Sequence, residues 1–356
     1  MRLQTLLIAA GALLAAALGP AQAAAPPAPV QGDWRVTDFR FHTGQVLPEL
    51  NLHYTTLGDP SHEAVLVLHG TGGSGASMLS AGFGGELFGP GQPLDASRYF
   101  IILPDAIGHG RSSKPSDGLR AAFPEYNYDD MVEAQFRLVT EKLGLRHLRA
   151  VIGNSMGGMH TWLWGVAHPD FMDALIPLAA EPAEMAGRNW MMRKLLIETV
   201  RRDPDWRGGD YTTQPRSLRF ASAMFGMGTS GGSMALRAQA ATRDAGDRMV
   251  AERLDAPFNA DANDTIYQFA SARSYNPGPG LDRITAPVLA INSADDERNP
   301  IETGVMEREM KRVRQGRLLL VPASADTRGH GTVGAARLYA REVGDFLDAA
   351  PRRAAR

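Results

Sequence analysis

The stretch Val-Ile-Gly-Asn-Ser-Met-Gly-Gly, residues 151–158, decides the fold of this chain. It begins in a short apolar run, residues 148–152, and leads into a helix-like segment containing residues 162–164, Trp-Leu-Trp. A serine at such a strand–turn–helix corner has a strained backbone that pushes its oxygen clear of the sheet. Glycines flank it because side chains there would collide with the neighbouring strand and helix. We therefore predict that Ser155 is a nucleophile.

Short apolar runs elsewhere predict the strands that surround this corner. Each run is bounded by glycine or proline and is apolar on both faces, which is typical of buried parallel strands. Helical stretches lie between the runs, and this alternation predicts an α/β fold with a doubly wound, mostly parallel sheet. Its active site is expected at the carboxyl ends of the strands. The predicted strands are residues 64–68, 99–103, 148–152, 286–291 and 317–321, and the clearest predicted helices are residues 129–143 and 333–347.

Two segments depart from this alternation. Residues 34–57 alternate polar and apolar side chains, which predicts an antiparallel hairpin at the sheet edge. Residues 182–275 are rich in Met, Arg and Ala and hold helical segments but no convincing strand. We predict that they form a helical cap inserted into a core of residues 33–181 and 276–350. Because methionine is a common gap-filler, the methionines of this cap are interpreted as packing residues.

A nucleophilic serine needs a base that is held by a third group. At corners of this kind the partners follow in the order acid, then histidine, each after a later strand. The acid is expected just past the predicted strand 286–291, where residues 295–297 are Asp, Asp and Glu. A proline four residues later selects Asp296. Asp295 remains the alternative, and its other role would be to cap the next helix.

The base and the oxyanion donors follow from the same order of elements. Among nine histidines, only His330 lies after the last predicted strand and before the last predicted helix. Two backbone amides must stabilise the oxyanion that forms when the serine attacks. One is expected from Met156, the residue after the nucleophile. The other is expected from the glycine-rich loop 69–73, where Thr71 is the predicted donor.

The first residues have the features of a secretory signal. Residues 6–18 are an apolar run too short to span a bilayer, and residues 21–23, Ala-Gln-Ala, supply small residues for cleavage. We predict a signal peptide at 1–23, a disordered Ala/Pro-rich lead-in at 24–32, and a periplasmic or secreted protein without stable membrane insertion after cleavage. The chain has no cysteine, which excludes disulfides and thiol nucleophiles.

The charge balance excludes several kinds of partner. Lys and Arg total 37 and Asp and Glu 39, so no net field attracts nucleic acid or an anionic membrane. The loop 69–73 lacks the Lys-Ser/Thr pair of a phosphate-binding loop and the spacing of a dinucleotide fingerprint. No His, Asp or Glu cluster has metal-ligand spacing. We predict no cofactor, metal or nucleic acid and a small-molecule ester as the partner, with a homodimer left open.

Further motifs run in order through most of the chain after its first residues. They are Tyr-Thr-Thr-Leu-Gly at 54–58, Phe-Gly-Pro-Gly at 88–91, Leu94-Asp95, Arg98-Tyr99-Phe100, Phe123-Pro124, Asp130-Met131-Val132, Gln135, Ser-Met-Gly-Gly-Met at 155–159, Asp203-Pro204, Trp206, Gly209 and Tyr211. Together these motifs resemble the homoserine O-acetyltransferase family, a branch of the α/β-hydrolases. The resemblance implies the α/β-hydrolase fold and acyl transfer that begins on Ser155.

Departures from that family favour water as the acceptor of the acyl group. The family's catalytic histidine is usually followed by an aspartate, whereas His330 is followed by Gly331. A Phe-Gly-Arg element of its cap has no clear counterpart, and the chain reads Phe-Gly-Met at residues 225–227. The elbow has Asn154 where the transferases usually have glycine. Export would also separate the protein from acetyl-CoA.

We therefore predict an exported serine hydrolase that acts on acyl esters through Ser155, Asp296 and His330. An O-acyltransferase like the resembled family is the alternative. A non-catalytic binding protein of the same fold is the least favoured hypothesis, because the predicted serine, acid, histidine and oxyanion loop are all present.

Overall fold

A computed structural model describes residues 27–353, and its centre is one sheet of eight strands in the spatial order first, second, fourth, third, fifth, sixth, seventh and eighth. The first two strands run antiparallel to their neighbours, and the remaining pairs are parallel. This confirms the predicted doubly wound, mostly parallel sheet. The strands are β1 (Val30–Arg40), β2 (Val46–Leu57), β3 (Glu63–Leu68), β4 (Tyr99–Pro104), β5 (Ala150–Asn154), β6 (Leu175–Leu178), β7 (Val288–Ser293) and β8 (Gly316–Val321).

The central strands are apolar throughout because both faces of the sheet are covered. Along β3, Val65 and Val67 pack into one hydrophobic cluster, whereas Leu66 and Leu68 pack into a second cluster. Successive side chains of a strand point to opposite faces, so the two clusters lie on the two sides of the sheet. This burial explains the continuous apolar runs in the sequence.

Two strands differ from the predictions. The strand β6 was not predicted, because it is four residues long and contains Pro177, which usually argues against a central strand. The predicted disordered lead-in, 24–32, extends too far, since Val30 already pairs with Thr56 of β2. Pairing continues through Gly32 opposite Tyr54, where the missing side chain leaves room for the tyrosine ring. Residues 24–26 of that lead-in and the predicted signal peptide lie outside the described residues.

The helices lie before, between and after the strands. The predicted helix 129–143 is two elements, an α-helix and a π-helical segment at Leu138–Lys142. The predicted last helix starts later than expected, because short 3₁₀ turns occupy Gly331–Gly334 and Ala336–Leu338. The α-helices are α1 (Gly84–Leu87), α2 (Tyr128–Arg137), α3 (Met156–Ala167), α4 (Gly187–Arg201), α5 (Ser217–Thr229), α6 (Ser233–Gln239), α7 (Arg243–Asp255), α8 (Ala262–Ala270), α9 (Val305–Met310) and α10 (Ala340–Ala349).

The segment predicted as a cap, residues 182–275, is helical and contains α4 to α8 but no strand. Helices α4 and α5 pack through Leu196, Ala221 and Phe225. The interpretation of the cap methionines as packing residues is wrong for three of them, since the exposed fractions of Met191, Met224 and Met234 are 70%, 54% and 54%. Within residues 27–353, no helix is long and apolar enough to cross a membrane.

Candidate active site

Ser155 lies at a sharp corner between β5 and α3. Its backbone has φ 53° and ψ −113°, a conformation that is strained for a residue with a side chain. The glycines around it are required by close packing. A Cβ atom on Gly157 would lie 2.1 Å from the carbonyl oxygen of Leu68, and one on Gly153 would lie 2.4 Å from the Gly157 backbone. The corner therefore has the geometry that the glycine–serine pattern predicts.

The three residues predicted as a triad meet at the carboxyl ends of three parallel strands. Ser155 follows β5, Asp296 follows β7 and His330 follows β8. The Oγ atom of Ser155 lies 2.8 Å from Nε2 of His330, and both carboxylate oxygens of Asp296 lie 3.0 Å from its Nδ1. Because the ionised carboxylate can only accept, Nδ1 carries the proton and Nε2 accepts from the serine hydroxyl.

The structure separates the two candidate acids. Asp295 does not contact the imidazole and instead accepts hydrogen bonds from the Thr327 hydroxyl at 2.8 Å and the Gly329 amide at 3.2 Å. It therefore shapes the loop that carries His330. The imidazole contact belongs to Asp296, so the geometry favours the residue that the proline spacing selected.

Neighbouring residues hold both Asp296 and His330 in place through hydrogen bonds. The side-chain amide of Asn299 donates to Asp296 Oδ2 at 2.8 Å, and the backbone amides of Arg298 and Asn299 donate to Oδ1 at 2.8 and 3.1 Å. Glu297 accepts from the His330 backbone amide at 3.0 Å and from the Gly232 amide of the cap at 2.8 Å. The cap is thus hydrogen-bonded to the loop that orients the acid and the histidine.

Burial and charge act in opposite directions on the pKa of each group, and the pKa values of both Asp296 and His330 end below their ordinary values. Burial lowers the pKa of His330 below its ordinary value of 6.5, although the charge of Asp296 opposes this effect. Burial would raise the pKa of Asp296, but the charge of His330 when it is protonated, together with hydrogen bonds from His330, Asn299 and the Arg298 backbone amide, holds that pKa below its usual value. At neutral pH the imidazole is therefore a neutral base beside an ionised carboxylate.

The loop predicted to supply an oxyanion donor lies against the serine. Pairing of Leu68 with Gly153 brings the ends of β3 and β5 together. A Cβ atom on Gly70 would lie 3.5 Å from that of Ser155. His69 holds this loop, since its Nε2 accepts from the Ala106 amide at 3.0 Å and its Nδ1 donates to the Gly70 carbonyl at 2.9 Å.

The two predicted oxyanion donors occupy positions suited to that role. Met156 is the first residue of α3, so its amide is one of the helix-start donors without an intrahelical acceptor. Thr71 lies in the loop that approaches the serine, and it lines a cavity of about 540 Å³ between the cap and the core. That these two backbone amides bind the oxyanion beside Ser155 stays a prediction.

Two arginines near the triad were not singled out by the sequence. Arg193 of α4 is fully buried, and its Nη2 donates to the Thr71 hydroxyl at 3.3 Å. Arg298 lies two residues after the acid and lines the cavity. Arginine is usually exposed, and only the fold brings one from the cap and one from the core to the same site. Among residues 27–353, no group of three or more His, Cys, Asp or Glu side chains could hold a metal ion.

The chain belongs to the α/β-hydrolase fold family, because the sequence model of that family matches residues 63–314. Within that family, its sequence is similar to homoserine O-acetyltransferase from Thermobifida fusca, with 33% identity over 220 residues that cover 53% of this chain and 58% of that protein. A probable acyltransferase from Methanothermobacter thermautotrophicus is 32% identical over 199 residues, covering 54% of this chain and 60% of that protein. The chain therefore spans less than two thirds of the length of these curated relatives.

Solved structures of both esterases and acetyltransferases share the fold. The acetyl esterase MekB superposes with a TM-score of 0.79 and 22% identity, covering 90% of this chain and 97% of that chain. Homoserine O-acetyltransferase from Bacillus anthracis superposes with a TM-score of 0.77 and 20% identity, covering 92% of this chain and 99% of that chain. At these identities the likeness shows the fold alone.

Proposed function

We propose that this protein is an O-acyltransferase that carries the acyl group on Ser155. The observation that supports the chemistry best is the contact of 2.8 Å between Ser155 Oγ and His330 Nε2 at the strained corner. The similarity to homoserine O-acetyltransferases and to a probable acyltransferase favours transfer to an alcohol over the hydrolysis that the sequence alone suggested.

The first half of the reaction forms the acyl-enzyme. His330 Nε2 takes the proton of the Ser155 hydroxyl while Oγ attacks the carbonyl carbon of an acyl ester or thioester. The amides of Met156 and Thr71 stabilise the oxyanion, and Asp296 stabilises the imidazolium. Collapse of the tetrahedral intermediate breaks the bond to the leaving group, which receives the proton from His330.

The second half repeats these steps with an acceptor. His330 takes the proton of the acceptor hydroxyl while the acceptor oxygen attacks the acyl carbon. Collapse of the second tetrahedral intermediate breaks the bond to Ser155 Oγ, which receives the proton from His330. Homoserine is the acceptor in the name of the acetyltransferase relatives, and we propose an alcohol of this kind as the acceptor for this chain. The proposed acyl donor is an ester or a thioester.

Hydrolysis is the second candidate, and departures near the site favour it. His330 is followed by Gly331 where the resembled family usually has aspartate, and the cap reads Phe-Gly-Met at residues 225–227. Either change removes a charge that could bind an amino-acid acceptor. If residues 1–23 direct export, as we also propose, acetyl-CoA would not be at hand and water would accept the acyl group.

One experiment separates the two candidates. The purified chain without residues 1–23 is supplied with acetyl-CoA plus homoserine and, in parallel, with short-chain aryl esters. Homoserine-dependent release of CoA, lost in Ser155→Ala, supports the transferase. Ester cleavage to free acid without such release supports the hydrolase. Absence of both activities, with no labelling of Ser155 by a fluorophosphonate, would contradict the acyl-enzyme itself.

A further inference from the structure

We propose that Arg298, supported by Arg193, forms a subsite for a carboxylate group of the substrate. This inference rests on the proposed acyl-enzyme chemistry and names the class of molecule that the site selects. The carboxylate is carried either by the acyl part or by the alcohol part of the ester. It depends on two cations beside the triad that are hydrogen-bonded to neutral groups and form no ion pair with a carboxylate among residues 27–353.

Arg298 is held rigidly, but by neutral groups. Its Nε donates to the Thr229 carbonyl at 3.2 Å and to the Thr229 hydroxyl at 3.1 Å, and its Nη2 donates to the Ser230 hydroxyl at 2.9 Å. Its guanidinium lies 4.6 Å from the ring centroid of Phe225. These bonds use Nε and Nη2 and leave Nη1 for a ligand. A fixed, planar cation suits a carboxylate well.

The other charged groups of the cavity are already matched. Lys114 forms an ion pair with Asp117 at 2.6 Å. Asp264 accepts from the amide and hydroxyl of Ser116 at 2.8 and 2.6 Å. The third of these groups, Asp261, accepts from the Tyr211 hydroxyl at 2.7 Å and the Gln214 side chain at 2.9 Å. Lys114 is therefore paired with a carboxylate, whereas Arg298, the other cation among the described residues that line the cavity, forms no ion pair and is held by neutral groups alone.

Arg193 adds a second uncompensated cation behind Thr71. It is fully buried, its Nε donates to the Asn189 side chain at 3.2 Å, and its Nη1 has no hydrogen-bond partner among the described residues. Arg149 provides the contrast, because this equally buried arginine pairs with Asp173 at 3.1 Å. A buried charge is costly unless it is paired, so Arg193 is expected to serve an anion that the described part of the chain does not provide.

The electrostatics agree with this geometry. Burial lowers the pKa of Arg298 to about 10, and the positive charge of Arg193 contributes to that lowering, whereas the negative charges of Asp296 and Glu297 oppose it. Both guanidinium groups also act to lower the pKa of His330. Arg298 still carries its proton at neutral pH, so an incoming carboxylate would meet two positive charges within reach of the triad.

The test compares matched neutral and anionic esters. On the acyl side the pair is para-nitrophenyl butyrate and the para-nitrophenyl monoester of succinate. On the alcohol side the pair is methyl para-acetoxybenzoate and para-acetoxybenzoate. The quantity measured is the ratio of kcat/KM for the anionic ester to that for the neutral one. Because each variant is compared with the wild type, differences in intrinsic ester reactivity cancel.

Arg298→Met is expected to lower this ratio about 10- to 100-fold in at least one pair, the effect of losing a hydrogen bond to a charged group. The loss should appear mainly in KM, because the carboxylate is bound equally in the ground and transition states. Arg298→Lys should retain part of the ratio. Arg188→Met, an exposed arginine on the same cap helix as Arg193, is the matched control and should keep the wild-type ratio.

A measurement on the wild type guards against a misfolded variant. Free succinate and benzoate should inhibit cleavage of the neutral ester competitively, and less so at high salt, whereas succinamide and benzamide should not. Cleavage of neutral esters with an unchanged ratio in Arg298→Met, or equal inhibition by acids and amides, would overturn the subsite and leave the proposed function standing. Failure to form any acyl-enzyme would instead overturn the proposed function.

Discussion

Replacing Asp296 by asparagine is the sharpest perturbation of the proposed triad. Oδ1 of Asp296 accepts from two backbone amides, and Oδ2 accepts from the Asn299 side chain at 2.8 Å, while both oxygens lie 3.0 Å from His330 Nδ1. Asparagine can keep only one of the two acceptors. If its oxygen stays with the backbone amides, its NH₂ group faces the imidazole.

The consequence is a change of tautomer. Nδ1 must then accept a hydrogen bond from that NH₂ group and Nε2 must carry the ring proton, so Nε2 would donate to Ser155 Oγ and could no longer take its proton. The imidazolium also loses its counter-charge. Loss of these two effects costs about 10³–10⁴ in kcat, or about 4–5.5 kcal/mol in the activation barrier. The residual pH limb should move further to acid, since Asp296 raises the pKa of His330.

The control is the neighbouring Asp295→Asn. Asp295 supports Thr327 and Gly329 and does not reach the imidazole. We expect a loss of about 1–2 kcal/mol in the free energy of unfolding and less than about tenfold in kcat. The assay is steady-state cleavage of a short-chain aryl ester beside thermal unfolding of each variant. Equal losses of kcat in both variants, or an Asp296→Asn enzyme with a tenth of wild-type activity, would refute the assignment of the acid.

Three further predictions follow from the same geometry. The acid limb of kcat/KM should have its midpoint below pH 6.5, because burial lowers the pKa of His330 and only the neutral imidazole is a base; a pH profile with a midpoint above 7 would contradict this. Ser155→Gly and Ser155→Ala should both be inactive, but thermal unfolding should show the glycine variant about 1–2 kcal/mol more stable, since φ is 53° at this position. Gly157→Ala should lose about 3 kcal/mol in chemical denaturation, or fail to fold, because its Cβ would lie 2.1 Å from a backbone oxygen, whereas Gly246→Ala in α7 meets nothing within 4 Å and should gain about 0.5–1 kcal/mol.

The sheet could be predicted from the sequence because its central strands are buried on both faces and therefore consist of continuous apolar residues. The runs at β3, β4, β5, β7 and β8 were found for this reason, each within two residues of its observed bounds. The strand β6 was missed since it is short and includes Pro177. Pairing with β5 and β7 stabilises the extended conformation of β6, which its own residues do not predict.

The candidate site was predictable where it depends on the order of elements. A serine after β5, an acid after β7 and a histidine after β8 must come to one edge of a parallel sheet. The choice between Asp295 and Asp296 was harder, because adjacent residues differ only in where their side chains point. The spacing to proline favoured one of them, and only the geometry distinguishes their contacts.

The role of the cap residue Arg193 could not be predicted in the same way. The amino-acid sequence does not distinguish a buried arginine from an exposed one. Arg193 lies on the same helix as the exposed residues Arg188 and Met191. Its position behind Thr71 depends on how the cap packs on the core. The exposure of Met191, Met224 and Met234 was missed for the same reason, since composition does not tell which face of a helix is covered.

The central claim is that Ser155 carries an acyl group during turnover. The most direct measurement is mass spectrometry of the protein after rapid acid quenching with an activated acetyl ester, followed by mapping of the modified peptide. The account predicts one added acetyl group on the peptide that contains Ser155, its absence in Ser155→Ala, and its faster loss when a true acceptor is added. Turnover of the ester without any acetyl group on that peptide, or with the group on another residue, would contradict the account.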